Sequence, residues 1–428
     1  MHATAILLLA LCVLAFALVS RPLTTSVVTP PMAFAALGLA IGDAGLGWFT
    51  LGLDHDLIHA IAEFTLALIL FSDASRISLA SVARHHAIPV RLLAIALPLT
   101  IVLGGAVALA LFPALPLWSA LLLGAILAPT DAALGQAVVL SPKVPVKIRQ
   151  ALNVESGLND GLALPAVLFL AACSAMAGEP EPREWLQFAA AQIAVGAGVG
   201  LGAGFAAGRL MCFSAARNGV TPAFEGLGGL AIALLCFALA ELLGGNGFIA
   251  TFAGGLIYGN MGHKHVDSLL DFVEAEGRLL SLFTFFLLGA SLLPEILPQT
   301  NLLIVLYAIA SLTIVRMLPT AVALVGYGLR GASTGFIGWF GPRGLASILF
   351  VLLIAEEPGV ADYELIYTVV GVTVALSIIL HGLTANPGAN AYAKRLAALR
   401  QKNLCKRELE AVEPLPSGVG CAEARPGA

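Results

Sequence analysis

Ala128-Pro129-Thr130-Asp131-Ala132-Ala133 and Gly341-Pro342-Arg343-Gly344-Leu345-Ala346 decide how this chain is built. Each lies inside a long apolar run, where proline removes a backbone donor and frees carbonyls of the turn before it. Unwound backbone at membrane depth is tolerated only where it is buried in protein or lines a cavity. Two other pieces recur with this pair. Gly38-Leu39-Ala40-Ile41-Gly42 matches Gly255-Leu256-Ile257-Tyr258-Gly259, and Ala74-Ser75 matches Ala290-Ser291. Glycine and alanine are abundant here, so each match alone is weak. Three in the same order, at offsets of about 213 to 217 residues, indicate an internal duplication.

Composition gives the setting. The chain is 59% hydrophobic and 11% charged, with a mean hydropathy of +0.94, against the roughly 25% charged residues of an ordinary soluble domain. About thirteen apolar runs approach the length of a bilayer span. They lie roughly at 4–20, 27–42, 57–74, 89–112, 115–138, 149–177, 185–212, 225–243, 246–260, 275–296, 301–327, 333–354 and 363–385. The first run is preceded only by His2 and lacks a basic leader region, so it reads as a span. With about six spans in the first copy and a seventh as linker, the second copy starts from the opposite side of the membrane. The chain is thus expected to be an all-α polytopic membrane protein with inverted six-helix repeats, an architecture common among secondary transporters.

With the N-terminus outside, the loops after odd-numbered spans collect Arg76, Arg84, Arg91, Lys143, Lys147, Arg149, Arg217, Lys264 and Arg330, and the opposite loops hold one cation, Arg183. That asymmetry follows the positive-inside rule and puts the C-terminus in the cytoplasm. The outside loops are acidic, with Asp43, Asp54 and Glu179 among their residues. No basic patch suggests a nucleic acid. Six cysteines at 12, 173, 212, 236, 405 and 421 have no paired spacing, so neither a disulfide framework nor a metal cluster follows. The chain after residue 386 reads as a short cytoplasmic tail with a disordered end.

Asn153-Val154-Glu155-Ser156-Gly157-Leu158-Asn159-Asp160 places two carboxylates, a hydroxyl and an amide within an apolar span. A charge at mid-membrane costs roughly 2.5 to 3.5 kcal/mol on insertion scales, and ionisable residues there usually mark an ion or proton pathway. Residues four apart share a helix face, so Ser156 and Asp160 point one way, with Glu155 and Asn159 on an adjacent strip. Asp160, Ser156 and Thr130, with a freed carbonyl, offer the oxygens that replace the water shell of a monovalent cation such as Na+. Asp160 is also the best proton carrier, since burial favours a protonated carboxyl. The site then holds a proton or a cation, one at a time.

Each residue also has a plainer reading. Asp160 could serve as a polar link between helices, which the cost of its burial disfavours. For Glu155, a buried pair with Arg316, which also lies within a span, is preferred to ion binding. Asn159 would orient the neighbouring broken helix. Asp131 and Arg343 follow the two breaks and suit the opposite half-helix dipole ends near them, and Asp131 equally suits direct ligation. Asp73, beside Ser72, is either part of a cation entry or an interfacial carboxylate. Glu241, Glu274, Glu276 and Arg278 read as interfacial. The histidines lie mostly in loops, including His85-His86 and His263-Lys264-His265, and read as surface residues.

Ala128-Pro129-Thr130-Asp131 followed by Val154-Glu155-Ser156-Gly157-Leu158-Asn159-Asp160-Gly161 resembles the paired signature of the monovalent cation:proton antiporters of the sodium/proton exchanger type. Gly341-Pro342-Arg343-Gly344 resembles that family's later broken-helix motif, and Leu70-Phe71-Ser72-Asp73 its third-span acidic motif. The resemblance covers about residues 5 to 385. It implies a homodimer in the cell membrane, plasma or inner, with two crossed broken helices in each protomer. A dimerisation part would span about 1–85 and 180–298, and a mobile core about 86–178 and 299–386. Asp160 would carry the ion and the proton, Thr130, Ser156 and Asp131 would complete the site, and Glu155 would pair with Arg316.

The implied activity is exchange of Na+, and of Li+ as well, for protons by alternating access, serving pH and sodium homeostasis with no cofactor. A K+/H+ antiporter uses the same ligand chemistry. A different class, an intramembrane aspartyl protease built on Asp131 and Asp160, needs two carboxylates sharing a proton. Asn159, Thr130 and Ser156 crowd that place with cation ligands, and the duplicated break has no role in it. Ser156 as a hydrolase nucleophile lacks the Gly-x-Ser-x-Gly elbow.

Overall fold

The computed structural model describes residues 3–23, 28–42, 44–48, 55–75, 87–139, 141–175, 182–217, 219–261, 279–356, 359–401 and 407–408, and every regular element among them is helical. In chain order these are α1 (Ala3–Leu23), α2 (Pro30–Ile41), α3 (His55–Ser75), α4 (Ala87–Leu111), α5 (Leu117–Ile126), α6 (Ala132–Val139), α7 (Val146–Ala175) and α8 (Pro182–Ala215). They continue as α9 (Pro222–Leu242), α10 (Gly247–Gly259), α11 (Leu279–Gln299), α12 (Leu302–Leu312), α13 (Ile314–Ala323), α14 (Gly331–Trp339), α15 (Leu345–Leu353) and α16 (Tyr363–Gln401).

Among the described residues, six helical stretches are long and apolar enough to cross a membrane: 87–111, 146–175, 190–215, 279–299, 302–323 and 363–401. The other expected spans fall on shorter helices or on broken pairs. α5 and α6 are halves of one span separated at residues 127–131, and α14 and α15 are halves of another separated at 340–344. Both interruptions contain the prolines that the sequence singles out.

Helix starts are fixed by local chemistry. Pro30 and Pro222 open α2 and α9, where a missing N–H costs nothing. Asn246 caps α10 by accepting from Ile249 N at 3.0 Å, and Asn301 caps α12 by accepting from Ile304 N at 3.1 Å. Glu241, expected as a plain interfacial residue, accepts from Gly247 N at 2.7 Å and so also serves the start of α10.

The duplication is visible in reciprocal packing. Gly38 on α2 and Gly42 just past its end face the backbone of Phe286 and Ala290 on α11, and on α10, Gly255 and Gly259 face the backbone of Phe71 and Ser75 on α3. A Cβ at any of these four glycines would collide with main chain. Small residues let helix backbones approach in a membrane, where dispersion replaces the hydrophobic effect as the driving force. Each copy thus lends its Gly-x-x-x-Gly helix to the third helix of the other.

α16 departs from the sequence reading. The expected span ends near residue 385, yet the helix runs on through Pro387 to Gln401. Tertiary contact carries it through. Tyr392 stacks on Phe336 of α14 at 4.2 Å between ring centroids, and Gly388 lies against the Phe340 ring. Among the sequence features above, Asp43, Asp54, Arg76, Arg84, His85, His86, Glu179, His263, Lys264, His265, Glu274, Glu276, Arg278 and residues 409–428 lie outside the described residues.

Candidate functional site

The two interruptions cross each other in the interior, and each is completed by the other copy. Asp131 N donates to Pro342 O at 2.8 Å, tying the breaks together through main chain. Asp131 Oδ2 accepts from Leu345 N at 2.8 Å, so its carboxylate sits on the first turn of α15, at the positive end of that half-helix. Arg343 reaches the opposite way. Its Nη1 donates to Ala128 O and to Pro129 O at the C-terminal side of α5, and Ser347 Oγ donates to Ile126 O at 2.8 Å. The two charged residues after the prolines therefore satisfy the half-helix of the partner repeat rather than their own. Two glycines make room for this. A Cβ at Gly344 would run into the Asp131 carboxylate, and one at Gly341 into the Arg316 guanidinium.

α7 lines one flank of the crossing. Ser156 Oγ donates to Thr130 O at 2.5 Å, and Asn159 Nδ2 donates to Thr130 Oγ1 at 2.7 Å. Asn159, expected on the strip of Glu155, thus joins Ser156 instead, and the two hold both oxygens of the residue after Pro129. Thr130, Ser156, Asn159 and Asp160 are all buried. Asp160 Oδ1 and Asn159 Oδ1 have no hydrogen-bond partner among the described residues. The charged neighbours felt by Asp160 are both carboxylates, Asp73 and Asp131. Asp73, on α3, packs near Gly157 of α7.

Glu155 faces away from this cluster. Its two carboxylate oxygens accept from Arg316 Nη1 at 2.6 Å and Nη2 at 2.8 Å, a bidentate pair with both residues 2% exposed. Arg316 comes from α13, just past the interruption at Thr313 that separates it from α12. The structure therefore brings Thr130, Asp131, Ser156, Asn159, Asp160 and Arg343 together, places Asp73 at their edge, and sets Glu155 with Arg316 as a separate neutral unit.

Sequence reasoning passed over a further polar group. Ser377 and His381, one turn apart on α16, are buried against the second break. Ser377 Oγ accepts from Arg343 N at 2.8 Å, and His381 Nε2 lies 2.8 Å from Trp339 O. The sequence did carry a signal, since a serine and an ionisable residue four apart within a span repeat the Ser156 and Asp160 pattern.

The family described as "Sodium/hydrogen exchanger, transmembrane" matches residues 6–390. The chain belongs to the sodium/hydrogen exchanger family. Among relatives, it is 28% identical over 362 residues to a K(+)/H(+) antiporter, NhaP, of Alkalimonas amylolytica, covering 84% of this chain and 61% of that protein. It is 26% identical to the K(+)/H(+) antiporter NhaP2 of Shewanella oneidensis, covering 83% and 61%. The chain thus spans about three fifths of the length of these relatives. A Na(+)/H(+) antiporter of Schizosaccharomyces pombe is 25% identical over 65% of each chain. The sodium proton antiporter MjNhaP1 of Methanocaldococcus jannaschii superposes with a TM-score of 0.74 at 20% identity, over 93% of this chain and 99% of that one. That likeness establishes the fold: the inverted-repeat, crossed-helix architecture of this family.

Proposed function

We propose that the chain is a secondary antiporter exchanging a monovalent cation for protons, with Asp160 holding either one in turn. The observation that carries this reading is a charge inventory. Asp160 is buried, and neither nearby arginine serves it: Arg316 is engaged by Glu155 and Arg343 by the α5 carbonyls. An ionised carboxylate without compensation is costly in such a place, so the group either takes a proton or recruits a cation. Thr130, Ser156, Asp131 and the Asn159 carbonyl supply further oxygens, and Asp73 lies toward the approach.

Sodium, with lithium beside it, is the cation the sequence signature favours. Potassium is the second reading, favoured by the names of the two bacterial relatives. An aspartyl protease is not favoured, because the Asp131 carboxylate is occupied by the α15 N–H. Alternating access would move a core of about 86–178 and 299–386 against a homodimeric part of about 1–85 and 180–298. Two of three buried clusters support that division. One joins α3, α9 and α10 around Phe71, Cys236 and Tyr258, and another joins the ends of α4, α7, α14 and α16 around Ile148, Phe336 and Tyr392. The third is the large central cluster that runs across both parts. The proposed setting is the plasma or inner membrane with the N-terminus outside, and the proposed role is pH and sodium homeostasis.

With one carrier carboxylate, one proton exchanges for one monovalent cation and the cycle moves no net charge. In proteoliposomes holding an acid interior, addition of Na+, Li+ or K+ is expected to collapse the pH gradient saturably for at least one of them. The same cation jump on a solid-supported membrane is expected to give no net current. A gradient indifferent to all three ions would refute antiport, and a sustained current would refute the single-carrier cycle.

A further inference from the structure

The two repeats treat their breaks in parallel ways that end in different chemistry. In the first, Ser156 of α7 binds the main chain of Thr130, the residue after Pro129, and Asp160 stands four residues on. In the second, Ser377 of α16 binds the main chain of Arg343, the residue after Pro342, and His381 stands four residues on. His381 is thus the counterpart of the carrier carboxylate. It is 1% exposed, and its ring stacks on Trp339 at 5.1 Å between centroids.

One proton assignment satisfies a continuous chain. Arg343 N–H donates to Ser377 Oγ, the Ser377 hydroxyl donates to His381 Nδ1 at 3.2 Å, and His381 Nε2–H donates to Trp339 O at 2.8 Å. This is the neutral imidazole. An imidazolium would donate from Nδ1 to Ser377 O, 3.0 Å away, and leave the Ser377 hydroxyl without its acceptor.

We infer that neutral His381, acting through Ser377, is a positioning residue for the cation site: it bridges the last residue of α14 to the backbone of Arg343 and so fixes where the second break crosses the first. The inference rests on the antiport reading. Arg343 is the side chain that binds Ala128 O and Pro129 O, and Asp131 is held by the neighbouring Leu345 N–H. Displacing the Arg343 backbone therefore displaces the carbonyls and carboxylate around Asp160, although His381 touches no ion itself.

The test is the cation dependence of proton movement in proteoliposomes of the full chain, with wild type and variants side by side. His381→Phe keeps the ring on Trp339 but removes both nitrogens, and is expected to raise the apparent KM for the cation about 10-fold with kcat within about 2-fold. His381→Gln retains a donor close to the Nε2 position but no acceptor at Nδ1, and is expected to recover part of that loss. Ser377→Ala should shift KM in the same direction, and the double variant should be no worse than the more affected single one, because both act through one chain. An unchanged KM in His381→Phe, equal loss in His381→Gln, or additive effects would overturn the inference. Should His381→Phe fail to elute as a folded species, Ser377→Ala decides alone, and a wild-type KM there refutes it. Absence of cation-driven proton movement in wild type would instead sink the antiport reading itself.

Discussion

Asp160→Asn is expected to abolish exchange while leaving the protein folded. The amide is close in size to the carboxyl, so packing against α7's neighbours survives. It binds no proton at working pH and offers no full negative charge, so both halves of the cycle are lost. The expected fall is to the level of empty vesicles, a loss of at least about 100-fold if charge compensation at a buried site is worth the several kcal/mol usually assigned to it. Folding is checked by elution profile and thermal melting in detergent, and transport by cation-driven collapse of a proton gradient. Asp160→Glu, which keeps the charge on a longer stem, is expected to retain part of the activity. Near wild-type exchange in purified Asp160→Asn would remove this residue from the mechanism.

The second large effect concerns stability. Glu155 and Arg316 form a bidentate pair in which each side chain is the other's compensation. Glu155→Gln or Arg316→Met alone leaves one buried charge without its partner, at a cost of about 3 to 5 kcal/mol, whereas the double variant should be clearly milder than the sum. A double-mutant cycle on thermal unfolding measures the coupling. Strict additivity would mean that the pair contributes nothing jointly. Arg316 also lies against Gly341, so its loss should loosen the second break, and the Arg316 variant is expected to be the more damaging of the two.

Much of this was legible in the sequence because the expensive features are few. Pro129 and Pro342 stand out in apolar runs, and at matched positions in two copies they announce broken helices. Glu155 and Arg316 are both charges that a span must neutralise, and pairing is the cheapest solution. What the sequence could not convey was reach across the crossing. Asp131 and Arg343 read as partners of half-helix ends, but which end each side chain meets depends on how the two breaks overlap, and in the fold each serves the other repeat.

Other gaps have equally physical causes. Asn159 has a partner, Thr130 Oγ1, only once the break is folded back on α7. Ser377 resembles ordinary filler in an apolar run, and His381 was overshadowed by the loop histidines, although its place inside a span was the stronger clue. The continuation of α16 past Pro387 is not legible because a proline argues against a helix interior, while Phe336 on α14 and Phe340 just past its end supply the packing that overrides it.

If proton and cation compete for the one carboxyl of Asp160, cation binding releases a proton. Purified protein in detergent and a weak buffer, at a pH where Asp160 is protonated, is mixed with the chloride of the cation that proves active in vesicles. Saturable acidification, a proton for each cation bound, is expected, and it should disappear in Asp160→Asn. Saturable cation binding with no proton released, or equal release from the Asp160→Asn protein, would contradict it.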